Sequence, residues 1–437
     1  MKIFYTIVII IAAFFIAFAI YNRSDVGSST NPFNNAGKER NMVVVLSDLH
    51  LGADLAYAEF NKNTPSLEKL LKQIKDSSNV KELVIAGDLL DEWYVPAPVN
   101  TYAGKDQRDF VQRIATTNKG VIDGFNDIIK SGKIQLTYVP GNHDLTITAD
   151  NVDLILPGIH QARDKEQGLG TYSPAEFPKI AIEHGHRYNF FCAPDPISNQ
   201  DIAPGTIMPP GYFFTRIAAL HMIEKATQPG EAMRIVTPNV SGDNSQSLLF
   251  GYWKLWEWAM NYLPIKENLG EKVIVTDVDG FTGKYSVNDL VPYQQISGGK
   301  LDLKLYRGIQ DTWNKRQILN KVPVNIPVAQ AIERASVAEE TDNQAKAQYF
   351  MNPKSDKRIV IFGHTHDAKI IPSLNSQGQK SIYANSGTWI DKNPKLTTMN
   401  FVVITPQDAA TTSQTYVRLY NFEDNVITKM SEDFLRY

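Results

Sequence analysis

The sequence predicts an α/β fold whose central sheet begins with parallel strands. Short, continuous apolar segments, typical of strands buried on both faces, alternate with segments whose apolar residues recur at helical spacing. A β-α-β-α-β order of this kind places successive strands side by side and parallel. The composition agrees, because 43% of the 437 residues are apolar and 21% are charged, as in a globular chain.

Nine segments are predicted as strands, and five as helices. The predicted strands are 42–47, 83–86, 134–139, 180–183, 358–362, 381–384, 400–405, 415–422 and 425–430. The predicted helices are 65–76, 110–131, 212–226, 248–262 and 327–348. Short connections between the last three strands indicate antiparallel additions to the sheet. The polar residues of 327–348 beyond its first turn indicate a face exposed to solvent.

A polar cluster follows each of five predicted strands. The clusters are DLH (48–50), GDLLD (87–91), GNHD (141–144), HGH (184–186) and GHTH (363–366). Six of the eight histidines lie in these clusters, and only His160 and His221 fall outside them. Because ligands of open α/β sheets bind at the carboxyl ends of the strands, we predict one functional site there.

The composition limits the chemistry of this site. A single cysteine, Cys192, excludes an intramolecular disulfide and also excludes cysteine-based zinc or iron–sulfur sites. The net charge of −3, without a basic stripe, argues against nucleic acid as the main partner. What remains is a site built from histidine, aspartate and asparagine.

These residue types suit divalent cations, which take imidazole, carboxylate and amide oxygen ligands. In an extended strand end, Asp48 and His50 would point to one side, as would His364 and His366, because strand side chains repeat every two residues. A carboxylate such as Asp88 can bridge two cations about 3.5–4 Å apart. Such a pair can bind a phosphoryl oxygen and activate a bridging water, while a non-ligand histidine protonates the leaving oxygen.

In this order, DLH, GDLLD, GNHD, HGH and GHTH resemble the motifs of the calcineurin-like metallophosphoesterase superfamily. The resemblance covers roughly 41–187 and 357–389. It implies a four-layer α/β/β/α sandwich of two mixed sheets. GDLLDEW and the later NSGTW resemble the UDP-2,3-diacylglucosamine pyrophosphatase-like branch more than protein phosphatases, which carry an arginine where Glu92 and Trp93 stand.

The resemblance also implies roles for individual residues. The implied ligands of one metal are Asp48, His50 and His366, those of the other are Asn142, His184 and His364, and Asp88 bridges both. His143 would contact phosphate and protonate the leaving group, and Asp91 would orient His143. The implied reaction is hydrolysis of a phosphoester by a metal-bridging hydroxide. The two divalent or trivalent ions are not identified, since the ligands admit Mn, Fe, Zn, Ni or Co.

Other residues near the motifs have more than one interpretation. Asp91 could instead cap the segment that follows it. His186 could support a ligand, contact the substrate or be structural. Trp93 could line a substrate pocket or pack locally. The segment 385–389 is expected to close the sheet beside the site.

The long segment between HGH and GHTH predicts an insertion. We expect a phosphoesterase core at 42–188 and 357–437, interrupted by a large, mainly helical cap at 189–356 that selects the substrate by shape. Four aromatic residues predict either core packing or a platform for a nucleotide base, sugar or lipid chain. They are Tyr252, Trp253, Trp256 and Trp258. Arg216 is expected to be a solvated charge, with a phosphate contact as the alternative.

The N-terminus has a different character from the body. Residues 3–20 form an apolar run that reaches the lower limit for a membrane span and also fits the core of a signal peptide. Residues 1–22 are therefore predicted to be a signal peptide or a membrane anchor, followed by a linker at 23–41. Both predict an exported or membrane-anchored, extracytoplasmic protein, with membrane attachment through 3–20 in the case of an anchor.

The leading interpretation is a metal-dependent phosphomonoesterase or phosphodiesterase. Its substrate would be a small phosphoester linked to a nucleotide, sugar or lipid, and no nucleic-acid partner is expected. Two alternatives stay open: a secreted nucleotidase or phosphodiesterase, and a membrane-tethered, non-catalytic metal-binding protein.

Overall fold

The computed structural model describes residues 31–33, 40–164, 168–394, 396–406 and 414–436. The predicted signal peptide or anchor at 1–22 lies outside the described residues, as does most of the linker. Within the described ranges, no helix combines the length and the apolar composition needed to cross a bilayer.

Two mixed sheets form the centre of the fold, which confirms the predicted α/β class. The strands are β1 (Met42–Leu46), β2 (Val80–Ala86), β3 (Gln135–Val139), β4 (His160–Gln161), β5 (Ile180–Ile182), β6 (Ile274–Thr276), β7 (Gly283–Tyr285), β8 (Tyr293–Gln294), β9 (Leu301–Asp302), β10 (Ile359–Phe362), β11 (Lys369–Leu374), β12 (Lys380–Asn385), β13 (Asn400–Thr405), β14 (Gln414–Glu423) and β15 (Val426–Arg436). The larger sheet has the order β15-β14-β13-β1-β2-β3-β4, and the smaller has the order β11-β12-β10-β5. Strands β1 to β4 are parallel, whereas β13, β14 and β15 pair antiparallel, as their short connections indicated.

Helices flank the sheets and supply most of the regular secondary structure of the insertion. They are α1 (Thr64–Asp76), α2 (Gln107–Thr117), α3 (Lys119–Ser131), α4 (Ala149–Ile155), α5 (Pro210–Glu224), α6 (Asn244–Tyr262), α7 (Val287–Leu290), α8 (Ile309–Leu319), α9 (Val328–Glu333) and α10 (Ala338–Ala345). A single π-helical turn, Lys346–Phe350, follows α10. The insertion also contains two small two-stranded sheets, β6-β7 and β8-β9.

The central strands are buried on both faces, which explains their continuous apolar sequence. In β1, Val43 and Val45 pack between the two sheets, whereas Met42, Val44 and Leu46 pack against the helices. Alternate side chains of a strand point to opposite faces, so five consecutive apolar residues serve two cores at once.

The outer face of the smaller sheet is covered by aromatic residues from both ends of the insertion. The Phe362 ring of β10 lies 5.8 Å from the Tyr188 ring and 6.4 Å from the Tyr349 ring, between centroids. Tyr349 belongs to the π-helical turn after α10. Together with α1 and α3 on the larger sheet, this segment completes the layers of an α/β/β/α sandwich.

The prediction of one helix at 327–348 was wrong. The segment divides into α9 and α10 with a break at 334–337. Part of its polar face is exposed as predicted, for example at Glu333, Glu339 and Asn343, but other polar residues are buried. Asp342, Gln344 and Gln348 are buried. The side-chain amide of Gln348 accepts a hydrogen bond from the N–H of Val324 and donates one to the carbonyl of Val324. The polar sequence predicted exposure of these three side chains, but each of them has hydrogen-bond partners inside the protein.

The expectation for Arg216 was also wrong, because its side chain is fully buried in α5. Its Nε atom donates to Val95 O at 2.6 Å, and Nη2 donates to Ala97 O at 3.2 Å and to Val275 O at 3.0 Å. Arg216 therefore joins the insertion to the segment that follows GDLLD, and it contacts neither solvent nor the metal-site motifs.

The predicted helix at 110–131 is interrupted at Asn118, which separates α2 from α3. The buried Asn118 side chain donates through Nδ2 to Gly52 O and Ile114 O, both at 2.9 Å. The break thus lets Asn118 donate a hydrogen bond to the buried carbonyl of Gly52, in the loop that follows the DLH motif.

We expect Asn118→Ala to lower the free energy of unfolding by about 1–3 kcal/mol, because the buried Gly52 carbonyl loses its side-chain donor. The exposed Thr116→Ala variant is the control and should change stability by less than about 0.5 kcal/mol. Urea unfolding of both variants measures the difference, and equal losses would contradict this role of Asn118.

Candidate metal centre

The motif residues reach the site through left-handed backbone turns at the strand ends. Positive φ angles occur at Asp48 (53°), His50 (50°), Asp88 (51°), His364 (69°) and His366 (58°). The expected extended backbone was therefore wrong, although the side chains of Asp48 and His50 still converge as predicted. Non-glycine residues adopt this conformation at a cost, and such residues cluster where function requires a fixed geometry.

Two motif glycines permit the close approach of neighbouring loops. Gly87 has a φ of +89°, and a Cβ atom there would lie 2.3 Å from Nδ1 of His184. A Cβ atom on Gly141 would lie 2.1 Å from Oδ1 of Asp88. Larger residues at these positions would displace the side chains of the site.

Asp48, His50 and His366 converge on one side of the site. Nε2 of His366 lies 3.2 Å from Oδ1 of Asp48 and 3.2 Å from Nε2 of His50. The three ligating atoms lie within 4.8 Å of one another. This is the arrangement of atoms that share one cation.

Asn142, His184 and His364 converge on the other side. Oδ1 of Asn142 lies 3.0 Å from Nε2 of His184 and 2.8 Å from Nδ1 of His364. Nδ1 of His184 lies 2.8 Å from Ala86 O, so a proton on Nδ1 leaves Nε2 free to coordinate.

Asp88 lies between these two sets. Its Oδ2 atom is 3.1 Å from Nε2 of His184 and 3.7 Å from Nε2 of His50. Its Oδ1 atom accepts a hydrogen bond from the backbone N–H of His143 at 2.8 Å. One carboxylate thus faces both groups of ligands.

The buried carboxylates and histidines of the site shift one another's pKa values. Burial opposes ionisation of Asp88, but His184 and His143 hold the pKa of its carboxyl well below the ordinary value. Burial also disfavours a charged His50, yet its hydrogen bond to Asp91 and the charge of Asp91 raise its pKa to about 10. The pKa of His184 rises to about 9 against the effect of burial because Asp88 and Asp48 are close. Cations bound here would displace these protons.

The donor set fits divalent metal ions. Three groups of His and Asp ligating atoms are close enough to hold an ion: Asp48, His50 and His366; Asp48, Asp88 and His184; and His50, Asp91 and His143. Asn142 adds an amide oxygen beside the second group. Nitrogen and oxygen ligands in this mixture suit first-row divalent metals.

His143 and Asp91 form a hydrogen-bonded pair beside the ligands. Nδ1 of His143 lies 2.8 Å from Oδ1 of Asp91, and Nδ1 of His50 lies 3.1 Å from Oδ2 of Asp91. Asp91 also accepts hydrogen bonds from the backbone N–H groups of Trp93 and Tyr94. Asp91 therefore contacts both histidines, in addition to capping the segment that follows it.

Trp93 and His186, for which the sequence allowed more than one role, are both buried. The indole of Trp93 stacks on His143 with centroids 5.1 Å apart, and it does not line the cavity described below, which agrees with local packing. The His186 ring lies 5.4 Å from the His184 ring, and neither of its nitrogens has a hydrogen-bond partner among the described residues.

Sequence reasoning missed a role for Asp144, the last residue of GNHD. Its Oδ2 atom accepts from the N–H groups of Leu89 at 2.8 Å and Leu90 at 3.2 Å, and its Oδ1 atom accepts from Gly141 N at 2.7 Å. Asp144 thus ties the GDLLD loop to the GNHD loop. Its position inside a motif was the available signal.

The segment 385–389 supports Asp48 and the GHTH loop from behind. Thr388 Oγ1 and Trp389 N each donate to Asp48 O at 3.0 Å. Asn385 Nδ2 donates to Gly363 O at 2.7 Å. These bonds hold two metal-site loops against each other.

Asp342 in α10 connects the insertion to the GHTH loop, and sequence reasoning missed it. Its buried carboxylate accepts hydrogen bonds from four side chains: Thr365, Lys369, Tyr383 and Asn385. Because Thr365 stands between His364 and His366, this network fixes the loop that carries both histidines.

A cavity of about 340 Å³ opens beside the site. Its inner end is formed by Asp88, Asn142, His143, His364 and His366. Its outer walls belong to the insertion and include Phe191, Phe214, Leu255, Trp258 and Ala259. The motif residues and the insertion therefore enclose one shared space.

We expect Asp88→Asn to weaken Mn²⁺ or Zn²⁺ binding more than about 100-fold, because it removes the charge that faces both ligand groups. Isothermal titration calorimetry and metal content after dialysis measure the effect. Asp123→Asn, which changes an exposed carboxylate paired with Lys119, should bind metal like the unaltered protein. Equal affinities of the two variants would contradict the assignment.

We expect Asp342→Asn to weaken metal binding about 10–100-fold without removing a ligand, because the GHTH loop loses its charged anchor. The exposed Asp356→Asn variant is the control. Near-UV circular dichroism shows whether the variant is folded. A folded Asp342→Asn variant with unchanged metal affinity would contradict this role.

Comparison with known proteins gives one family match. No curated protein matches the chain. Residues 42–211 match the family model described as calcineurin-like phosphoesterase, a family that normally binds divalent metals. His364 and His366 lie beyond the matched residues and join the site through the fold of the smaller sheet. The similarity to a calcineurin-like phosphoesterase domain is therefore confined to residues 42–211.

Proposed function

We propose that the protein is a metal-dependent phosphoester hydrolase with two metal ions in its active site. The observation that carries the proposal is the position of Asp88, whose Oδ2 atom faces both His184 and His50. Ions held by the two ligand groups would supply Lewis acidity at phosphorus and an activated water.

His143 supplies the proton for the leaving group in this proposal. Its Nδ1 atom bonds to Asp91, so Nε2 is the atom that can hold and release a proton. Burial disfavours the imidazolium, but Asp91 raises the pKa of His143 above its ordinary value. Burial likewise opposes ionisation of Asp91, but His143 and His50 lower the pKa of its carboxyl. The pair therefore favours a charged imidazolium that can act as an acid.

The narrower parts of the function are also proposals. The substrate is a small phosphoester, and the chain acts outside the cytoplasm, as the apolar run at 3–20 suggests. The resemblance to UDP-2,3-diacylglucosamine pyrophosphatases rests on GDLLDEW and NSGTW alone, and no other observation favours that branch. A secreted nucleotidase or phosphodiesterase would use the same centre.

We expect His143→Asn to slow hydrolysis of alkyl phosphates about 10²–10⁴-fold, because their poor leaving groups need a proton. Hydrolysis of p-nitrophenyl phosphate should fall less, since p-nitrophenolate leaves without one. The measurement is kcat for a series of esters of increasing leaving-group pKa, with Mn²⁺ and Zn²⁺ tested separately. His160→Asn, at an exposed histidine outside the site, is the matched control.

Two results would count against this proposal. Equal losses of kcat for all leaving groups would show that His143 does not protonate the leaving group, while the proposed hydrolase activity would still stand. No hydrolysis of any monoester or diester with any metal would favour the non-catalytic, metal-binding alternative.

A further inference from the structure

We infer that the cavity beside the metal centre takes a phosphoester with an unbranched apolar substituent, which the insertion holds. The inference rests on the proposed hydrolase function and adds the class of substrate. The relevant observations are the charge, the hydrogen bonding and the shape of the cavity walls.

The walls offer no cation for a second anionic group. Among the residues that the structure describes, no lysine or arginine lines the cavity, and its only carboxylate is Asp88. Recognition of phosphates beyond the reacting one normally uses arginine or lysine. A nucleoside diphosphate or a multiply phosphorylated sugar would therefore lack a partner outside the metal centre.

Two polar side chains in the walls, Asn189 and Thr365, are already engaged within the protein. Asn189 accepts from the N–H groups of Phe191 and Cys192 and donates to Ala335 O. Thr365 donates to Asp342. A base or sugar placed here would leave its own polar groups without these partners, which is costly in a buried site.

The remaining wall is mainly apolar, with Thr215, Ser336 and Thr341 as its polar members, and it comes from the insertion. Phe214 lies on α5, Leu255, Trp258 and Ala259 lie on α6, and Ala335 follows α9. Trp258 is 48% exposed, whereas Tyr252, Trp253 and Trp256 are buried in the core of the insertion. Trp258 is thus the residue of this aromatic group that remains available to a ligand.

A second groove beside the cavity offers room for an apolar chain that extends past the first one. A second groove of about 410 Å³ runs between α6 and α9 and shares Leu255, Trp258 and Ser336 with the first cavity. Its other residues include Leu248 and Ile332, and charged side chains such as Lys254 and Glu333 belong to this second groove. A chain that extends beyond the first cavity would pass Trp258 and Ser336 and then meet the second groove, whose walls also carry Lys254 and Glu333.

Substrate chain length tests the inference. The full-length protein is assayed with methyl, butyl and octyl phosphates, and with the matching p-nitrophenyl alkyl diesters. Each substrate is kept below its critical micelle concentration. We expect kcat/KM to rise at least about tenfold from methyl to octyl in the reactive series, because each buried methylene adds binding energy. Equal values for methyl and octyl, or a preference for glycerol phosphate, would overturn the inference.

A charged side chain placed between the two spaces tests where the alkyl chain of the substrate binds. Ser336 is exposed and lines both, so Ser336→Asp should fold and should reduce the octyl-to-methyl ratio at least about fivefold. Ser297→Asp, at an exposed serine elsewhere in the insertion, should keep the ratio. An unchanged octyl-to-methyl ratio of kcat/KM in Ser336→Asp would mean that the alkyl chain binds elsewhere, and it would overturn the inferred binding site.

Binding separates failure of this inference from failure of the proposed function. If no phosphoester is hydrolysed, the hydrolase proposal fails, and calorimetry with octylphosphonate and methylphosphonate then tests the cavity alone. Octylphosphonate binding at least about tenfold tighter would support an apolar chain site, and equal affinities would contradict it.

Discussion

Two buried carboxylates held close together, Asp48 and Asp88, are the constraint on which the rest of the site depends. A buried carboxylate is stable only with donors or positive charges beside it. The backbone N–H of His364 donates to both oxygens of Asp48 at 3.1 Å, and that of His143 donates to Asp88. Left-handed turns bring these donors into place at a cost of about 1–3 kcal/mol each. The packing of two sheets between helical layers sustains that cost, and the two carboxylates are thereby held where cations could replace the protons of the neighbouring histidines.

The insertion is part of this arrangement and is joined to it by buried polar contacts. Asp342 binds the loop that carries His364 and His366, and Arg216 binds carbonyl groups after the GDLLD motif. Helix α10, which borders the cavity, therefore also holds the loop that carries His364 and His366. Hydrolysis and substrate selection would then depend on the same contacts. A substitution in α10 could alter the positions of the proposed ligands His364 and His366 through Thr365.

The central strands and the polar clusters could be predicted because strands buried on both faces leave continuous apolar sequence that ends abruptly in polar residues. Strand β11 was missed because Pro372 interrupts it, and its position at a sheet edge tolerates proline. The break at Asn118 depends on a bond to Gly52, and the burial of Asp342 depends on partners 23 to 43 residues away. Partners so distant in sequence leave no local pattern. The left-handed turns at the ligands were missed for the same reason, since close approach of separate loops imposes them.

The most direct test of the account is the position of bound metal in crystals of the protein grown with Mn²⁺, located by anomalous X-ray scattering. We predict two peaks about 3.5–4 Å apart. One should lie among Asp48, His50 and His366, the other among Asn142, His184 and His364, with Asp88 between them. A single peak, or peaks away from Asp88, would contradict a two-metal hydrolase centre.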